Sequence, residues 1–192
     1  MGGVTIAEAW PTISRPFTVH DLDRMPDDGR RYELVDGVLI VSPAPANPHQ
    51  FVVGELLFVL RQICPRGLRV LPGPAVRMSA ETELIPDLVV ARFEHIGGVR
   101  ITDPPLLAVE VRSPSAALVD LNIKKAVYER FGIEAYWIVV PDVDKPELIV
   151  FELRDGRYEQ VVHVAADEPF VASKPFPVEL IPSQLVRGLL PD

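Results

Sequence analysis

The sequence predicts a mixed α/β or α+β domain, and three observations carry that expectation. Short runs of β-rich residues outnumber helical segments, two longer segments repeat apolar residues at a helical period, and Asp-Gly pairs interrupt strand-like runs at two places. Twenty prolines cut the 192-residue chain into short elements without producing a low-complexity tract or a repeat.

In chain order, TVHDLDRM from Thr18 reads as a short capped helix, and RYELVDGVLIVSP as two strands around the Asp36-Gly37 turn. NPHQFVVGELLFVLRQI places apolar residues at 52, 53, 56, 57, 60 and 63, a helical spacing opened by Asn47 and Pro48. Strands are expected at RVLP, AVRM, LIPDLVVAR and PPLLAVEVR, each bounded by Pro or Gly. A second helix is expected over about Ala116 to Phe131, stopped by Gly132. EAYWIVVP, a hairpin in ELIVFELRDGRYEQVVHV at Asp155-Gly156, and a small helix near Pro182 complete the pattern. A mixed sheet flanked by two substantial helices, with an N-terminal and a C-terminal β-hairpin, follows. Residues 1–30 read as a peripheral arm with a short helix, and 31–192 as one domain.

Hydrophobic residues make up 48% of the chain, enough for one well-filled core, while the net charge of −8 opposes nucleic-acid binding through overall charge. The single Cys64 leaves no disulfide framework or cysteine metal cluster and fits a cytoplasmic protein. No run approaches the roughly 20 apolar residues of a membrane span, so no membrane partner is expected, and MGGVTIAEAW lacks the pattern of a signal peptide. P-loop, dinucleotide, nucleophile-elbow and zinc motifs are absent from the sequence.

The residues that suggest chemistry are acids in the wrong company. Asp87 in IPDLVV and Glu110 in LLAVEVRSPS each interrupt an apolar strand, where a carboxylate costs several kcal/mol unless it is paired or coordinates a cation. Neighbouring strands could bring the two onto one divalent ion, and oxygen-only ligation favours Mg²⁺ or Mn²⁺ over zinc. The plain alternative is two acids at strand ends, solvated or paired with arginine. Arg112 shares a strand side with Glu110, so it either neutralises Glu110 or meets a phosphate bidentately. Its high pKa excludes acid-base work. On the second helix, Asp120, Lys124 and Tyr128 form one stripe beside the apolar stripe of Val119, Ile123, Ala126 and Val127. The alternative is an ordinary helix pair with Tyr128 at the core edge. His20, His95 and His163 have no partner at metal-ligand spacing and read as surface or loop residues; His49, at a helix start, reads more readily as a capping or packing residue than as a functional one.

YELVDGVLIVSPAPANPHQ, PDLVV, LLAVEVRSPS, DLNIKKAVYERFG and EAYWIVVPD, in this order, resemble the Uma-type restriction-endonuclease family of the PD-(D/E)XK nuclease superfamily, over roughly Thr18 to Val164. The resemblance implies a restriction-endonuclease-like fold, with Asp87 and Glu110 at the metal-ligand positions and the backbone carbonyl of Val111 beside them. The superfamily pattern puts lysine where this chain has Arg112, a departure. In the family the lysine comes from the following helix, where Lys124 matches and Lys125 is the substitute. Glu33 and His49 also match family positions, as supports for the acids or for metal-bound water.

The implied activity is Mg²⁺- or Mn²⁺-dependent hydrolysis of DNA phosphodiesters. Asp87, Glu110 and Lys124 would be catalytic, Lys124 would orient or deprotonate the attacking water, and Asp120 and Tyr128 would hold Lys124. Basic residues such as Arg30, Arg31, Arg77 and Arg112 would then have to gather beside the cleft. Two rivals stay open: a non-catalytic nuclease-like scaffold used for dimerisation or nucleic-acid binding, and an enzyme acting on another phosphate ester. The superfamily often works as homodimers, and the sequence leaves that state open.

Overall fold

The computed structural model describes residues 15–112 and 119–189, with backbone alone for 119–121. The expectations for the first 14 residues, for a helix start at Ala116 and for the Asp120 side chain lie outside the described residues.

A short helix α1 (Val19–Leu22) precedes a hairpin of β1 (Arg31–Val35) and β2 (Val38–Ser42). The hairpin closes on Asp36 and Gly37 with φ of 47° and 81°, the two positive angles a twisted two-residue turn demands. Glycine at 37 also leaves room for Pro16, since a Cβ there would lie 2.5 Å from the proline side chain. Phe17 N–H donates to the Gly37 carbonyl, and Val19, itself buried, donates to Ala80.

Helix α2 (Asn47–Ile63) turns Val52, Val53, Leu56 and Leu60 inward. Leu56 and Leu60 are fully buried, and each contributes about 1.5–3 kcal/mol relative to exposure. Next come β3 (Leu68–Pro72), β4 (Val76–Ser79), β5 (Thr82–Leu84), β6 (Leu88–Arg92) and β7 (Leu107–Val111). LIPDLVVAR, expected as one strand, is in fact shared between two sheets. Its first residue, Leu84, ends β5 and Leu88–Arg92 form β6, with the break over Ile85–Asp87, where Pro86 has no N–H for a ladder.

A π-helical stretch, Val119–Lys124, runs into α3 (Lys125–Phe131), which stops on Gly132 at φ 86°. The chain ends with β8 (Ala135–Val140), the hairpin β9 (Glu147–Arg154) and β10 (Arg157–Ala165), β11 (Phe170–Ala172), β12 (Val178–Leu180) and α4 (Pro182–Val186). The pair β11 and β12 was not expected, because three-residue strands between prolines are too short to show alternation.

The main sheet runs β10-β9-β8-β7-β6-β3, antiparallel throughout except for the parallel pair β7 and β8. A second sheet runs β2-β1-β5-β4. Strand alternation splits the core in two. Leu107, Val109, Val111, Trp137 and Val139 pack with α2, whereas Ala108, Tyr136 and Ile138 pack with Val127, Tyr128 and Ile133 around α3. Among the described residues no helix is long and apolar enough to cross a membrane.

The apolar stripe expected on the second helix is displaced. Ile123 and Ala126 are exposed, while Lys124, Val127 and Tyr128 face inward. The π-helical stretch interrupts the 3.6-residue period, so a stripe counted through it points the wrong way.

Candidate active site

The register of β6 and β7 pairs Leu88 with Val109 and Val89 with Ala108. Asp87 immediately precedes Leu88 at the start of that pairing, and Glu110 immediately follows Val109, so the two acids come together where the β6–β7 ladder ends. The backbone ties the two strand ends together, since Val111 N–H donates to Asp87 Oδ2 at 2.8 Å. Both acids are buried, with exposures of 3% and 2%.

The second sheet completes the surroundings. Arg31 and Glu33, two residues apart on β1, both reach the crossover segment between β5 and β6. Arg31 Nη1 donates to Asp87 Oδ1 at 3.0 Å and to the Ile85 carbonyl at 3.3 Å, while Glu33 Oε1 accepts from Ile85 N–H at 2.8 Å. His49, in the first turn of α2, places Nε2 3.0 Å from Asp87 Oδ2, and its buried Nδ1 has no hydrogen-bond partner among the described residues. It makes no helix cap.

Glu110 is answered from the other side. Lys124 Nζ lies 3.0 and 3.1 Å from its two oxygens and 3.2 Å from Glu33 Oε1, and Tyr128 donates its hydroxyl to Glu110 Oε1 at 2.6 Å. Lys124 is therefore a buried ammonium between two buried carboxylates. Tyr128 was expected to hold Lys124; instead it orients Glu110, because the inward face of α3 meets the strand-end acid first. Burial, then the charges of Glu110 and Glu33, push the Tyr128 phenol well above its ordinary range, so it remains a donor.

Asp87 balances opposing effects. Burial pushes its carboxyl up, but the His49 contact, the Arg31 charge and the Val111 N–H outweigh it and hold the group below its ordinary 3.8. A carboxyl lowered by folding stabilises the native state above its unfolded pKa and loses that contribution as pH falls through the folded value. Urea midpoints measured from pH 7 down to pH 3 should therefore fall more steeply below about pH 4 for wild type than for Asp87→Asn. Parallel curves would show that Asp87 carries no such linkage.

Other candidates settle elsewhere. Arg112 lies just past the end of β7, partly exposed; its N–H donates to the Val139 carbonyl at 2.7 Å, and among the described residues its side chain pairs with none of the site acids. The expected neutralisation of Glu110 by Arg112 is thus replaced by Lys124, which reaches both oxygens. Lys125 stacks on Phe151, its Nζ 4.1 Å from the ring centroid, and is no substitute for Lys124. Arg30 is bonded to Asp28, and Arg77 is held with Arg100 against Glu83 and Asp23, so neither is a free basic wall for a cleft. His163 pairs with Glu147 at 2.8 Å. Arg31, expected only as one of several basic residues beside the cleft, lies directly on Asp87, and its period-two relation to Glu33 was a signal for that place.

The donor set fits a hard divalent ion. Among the described residues three carboxylates, Glu33, Asp87 and Glu110, stand with the cations of Arg31 and Lys124. Among the described residues no three His, Cys, Asp or Glu side chains are arranged as a metal cage. Two carboxylates with water in the remaining positions is the mode Mg²⁺ ordinarily takes.

A mixed sheet whose adjacent strand ends present two acids, backed by a lysine from the next helix, has the fold of restriction-endonuclease-like nucleases. The chain belongs to the family described as "Uma2: Putative restriction endonuclease", whose model matches residues 19–185 and so takes in every site residue above. Among solved structures, a crystal structure described as a "putative nuclease belonging to DUF820", from Anabaena variabilis, superposes with a TM-score of 0.72 at 18% identity, covering 91% of this chain and 100% of that one. No curated protein matches the chain in sequence.

Proposed function

We propose that the chain is a metal-dependent endonuclease that hydrolyses DNA phosphodiesters in the cytoplasm. The observation that carries this reading is the meeting of Asp87 and Glu110 where the β6–β7 ladder ends, tied by the Val111 N–H to Asp87, with Lys124 held between Glu110 and Glu33. Asp87, Glu110 and the carbonyl of Val111 would hold Mg²⁺ or Mn²⁺. When bound, such an ion polarises the phosphate and lowers the pKa of coordinated water.

The remaining roles fall to the chain's own groups. Lys124, an ammonium flanked by two carboxylates, is suited to orienting water and to offsetting charge that builds on the phosphate oxygens, rather than to taking a proton. Tyr128 fixes the rotamer of Glu110, and His49 that of Asp87. Asp120 would support Lys124 from the preceding turn. Two sites in a homodimer would address both strands of a duplex.

One observation favours a second reading, a non-catalytic scaffold for dimerisation or nucleic-acid binding. Both oxygens of Asp87 and both of Glu110 already have partners within the chain, and Arg112 stands where the superfamily pattern has lysine. Supercoiled plasmid separates the two. The nuclease reading expects nicking with Mg²⁺ or Mn²⁺ that a chelator stops. Absence of nicking on varied DNA, together with no heat of Mn²⁺ binding by calorimetry, would leave only the scaffold.

A further inference from the structure

We propose that Arg31 is the residue that receives the substrate's phosphate, and that it rests on Asp87 Oδ1 until a divalent ion takes that oxygen. The inference builds on the nuclease reading and adds a role that neither Lys124 nor Arg112 fills.

Three observations place Arg31 in that role. The two oxygens of Asp87 are not equivalent: Oδ2 is engaged by Val111 N–H at 2.8 Å and by His49 Nε2 at 3.0 Å, whereas Oδ1 faces Arg31 Nη1 at 3.0 Å. Any cation binding Asp87 through Oδ1 therefore competes with Arg31. Arg31 also opens outward, its side chain 21% exposed against 2–4% for Asp87, Glu33, Glu110 and Lys124. Finally, Nη1 makes both of its hydrogen bonds, so among the described residues Nε and Nη2 keep their N–H groups for an incoming anion.

Lys124, buried against two carboxylates, is placed for the reacting oxygens and not for docking an incoming diester from outside. A guanidinium displaced from a carboxylate presents the same planar fork to a phosphate, and phosphate offers the same bidentate geometry. Arg31 thus supplies, from β1, a second cation beside Lys124, one that opens toward solvent.

The test compares wild type with Arg31→Gln, Arg31→Lys and, as a charge control, Arg30→Gln. Calorimetry measures Mn²⁺ binding, and fluorescence anisotropy measures binding of a short DNA duplex with Ca²⁺ in place of Mg²⁺ to suppress cutting. Arg31→Gln should bind Mn²⁺ several-fold more tightly, because the competing cation is gone, and DNA about 10-fold more weakly, the size of one charge-assisted hydrogen bond. Arg31→Lys should return Mn²⁺ affinity toward wild type while recovering DNA affinity only in part. A purely structural role would weaken both ligands together.

Unchanged or weaker Mn²⁺ binding by Arg31→Gln, or unchanged DNA binding, overturns the proposal, and so does an Arg30→Gln variant that reproduces both changes. If wild type itself shows no Mn²⁺ binding, the nuclease reading fails first, and the role of Arg31 fails with it.

Discussion

Lys124→Met should destabilise the fold by about 3–5 kcal/mol, measured as a loss of unfolding free energy in urea at pH 7. Lys124 is 3% exposed and is the cation between Glu33 and Glu110, which are buried to the same degree. Removing it leaves two carboxylates facing each other in a poorly solvated pocket. Breaking a buried pair from one side costs far more than the pair itself contributes. Adding Glu110→Gln to Lys124→Met should return part of the loss, because the amide removes one uncompensated charge, and the two substitutions should be strongly non-additive. A loss below about 1 kcal/mol, or simple additivity, would mean that Lys124 does not bridge the acids in solution.

The same geometry explains which parts of the site could be read from the sequence. Asp87 and Glu110 were legible because a lone carboxylate in an apolar strand must find a partner, a constraint visible in one dimension. Lys124 and Tyr128 were legible as a pair because they lie one helical turn apart within α3 and its entry. Their direction was not, since the π-helical stretch before them resets the phase against which the apolar stripe was counted. Arg31 was legible only as one of several basic residues beside the cleft, and its contact with Asp87 was not. It meets Asp87 from another sheet, 56 residues away in sequence, and no local period encodes that contact.

The division of LIPDLVVAR shows how a fold-level error bears on the site. Taken as a single strand, it would leave Asp87 in the middle of a ladder. The actual crossover over Ile85–Asp87 puts Asp87 immediately before β6, where Arg31 and Glu33 clamp Ile85 just ahead of it. Pro86 was the signal for that break, because proline inside a strand argues for an edge or an end.

Asp87→Asn and Glu110→Gln should each lower metal-dependent nicking by about 100-fold or more, while differing in their effect on stability. Each change keeps the shape of the side chain and removes its charge, so a loss of cutting with a retained fold assigns the carboxylate to the ion rather than to packing. In Asp87→Asn an amide oxygen kept on Val111 N–H and His49 turns the NH₂ group toward the Arg31 guanidinium, donor against donor, so a moderate destabilisation accompanies the loss. In Glu110→Gln the new amide faces both Lys124 and Tyr128, which donate to the carboxylate oxygens of Glu110 in the native chain. That change leaves Glu33 as the remaining acid of the pair around Lys124, and the larger stability cost is expected here. Mn²⁺ calorimetry should show weakened binding in both variants, independent of turnover. Wild-type cutting rates in both would assign any nicking activity to another part of the protein, because no route through β6 and β7 survives the loss of either charge.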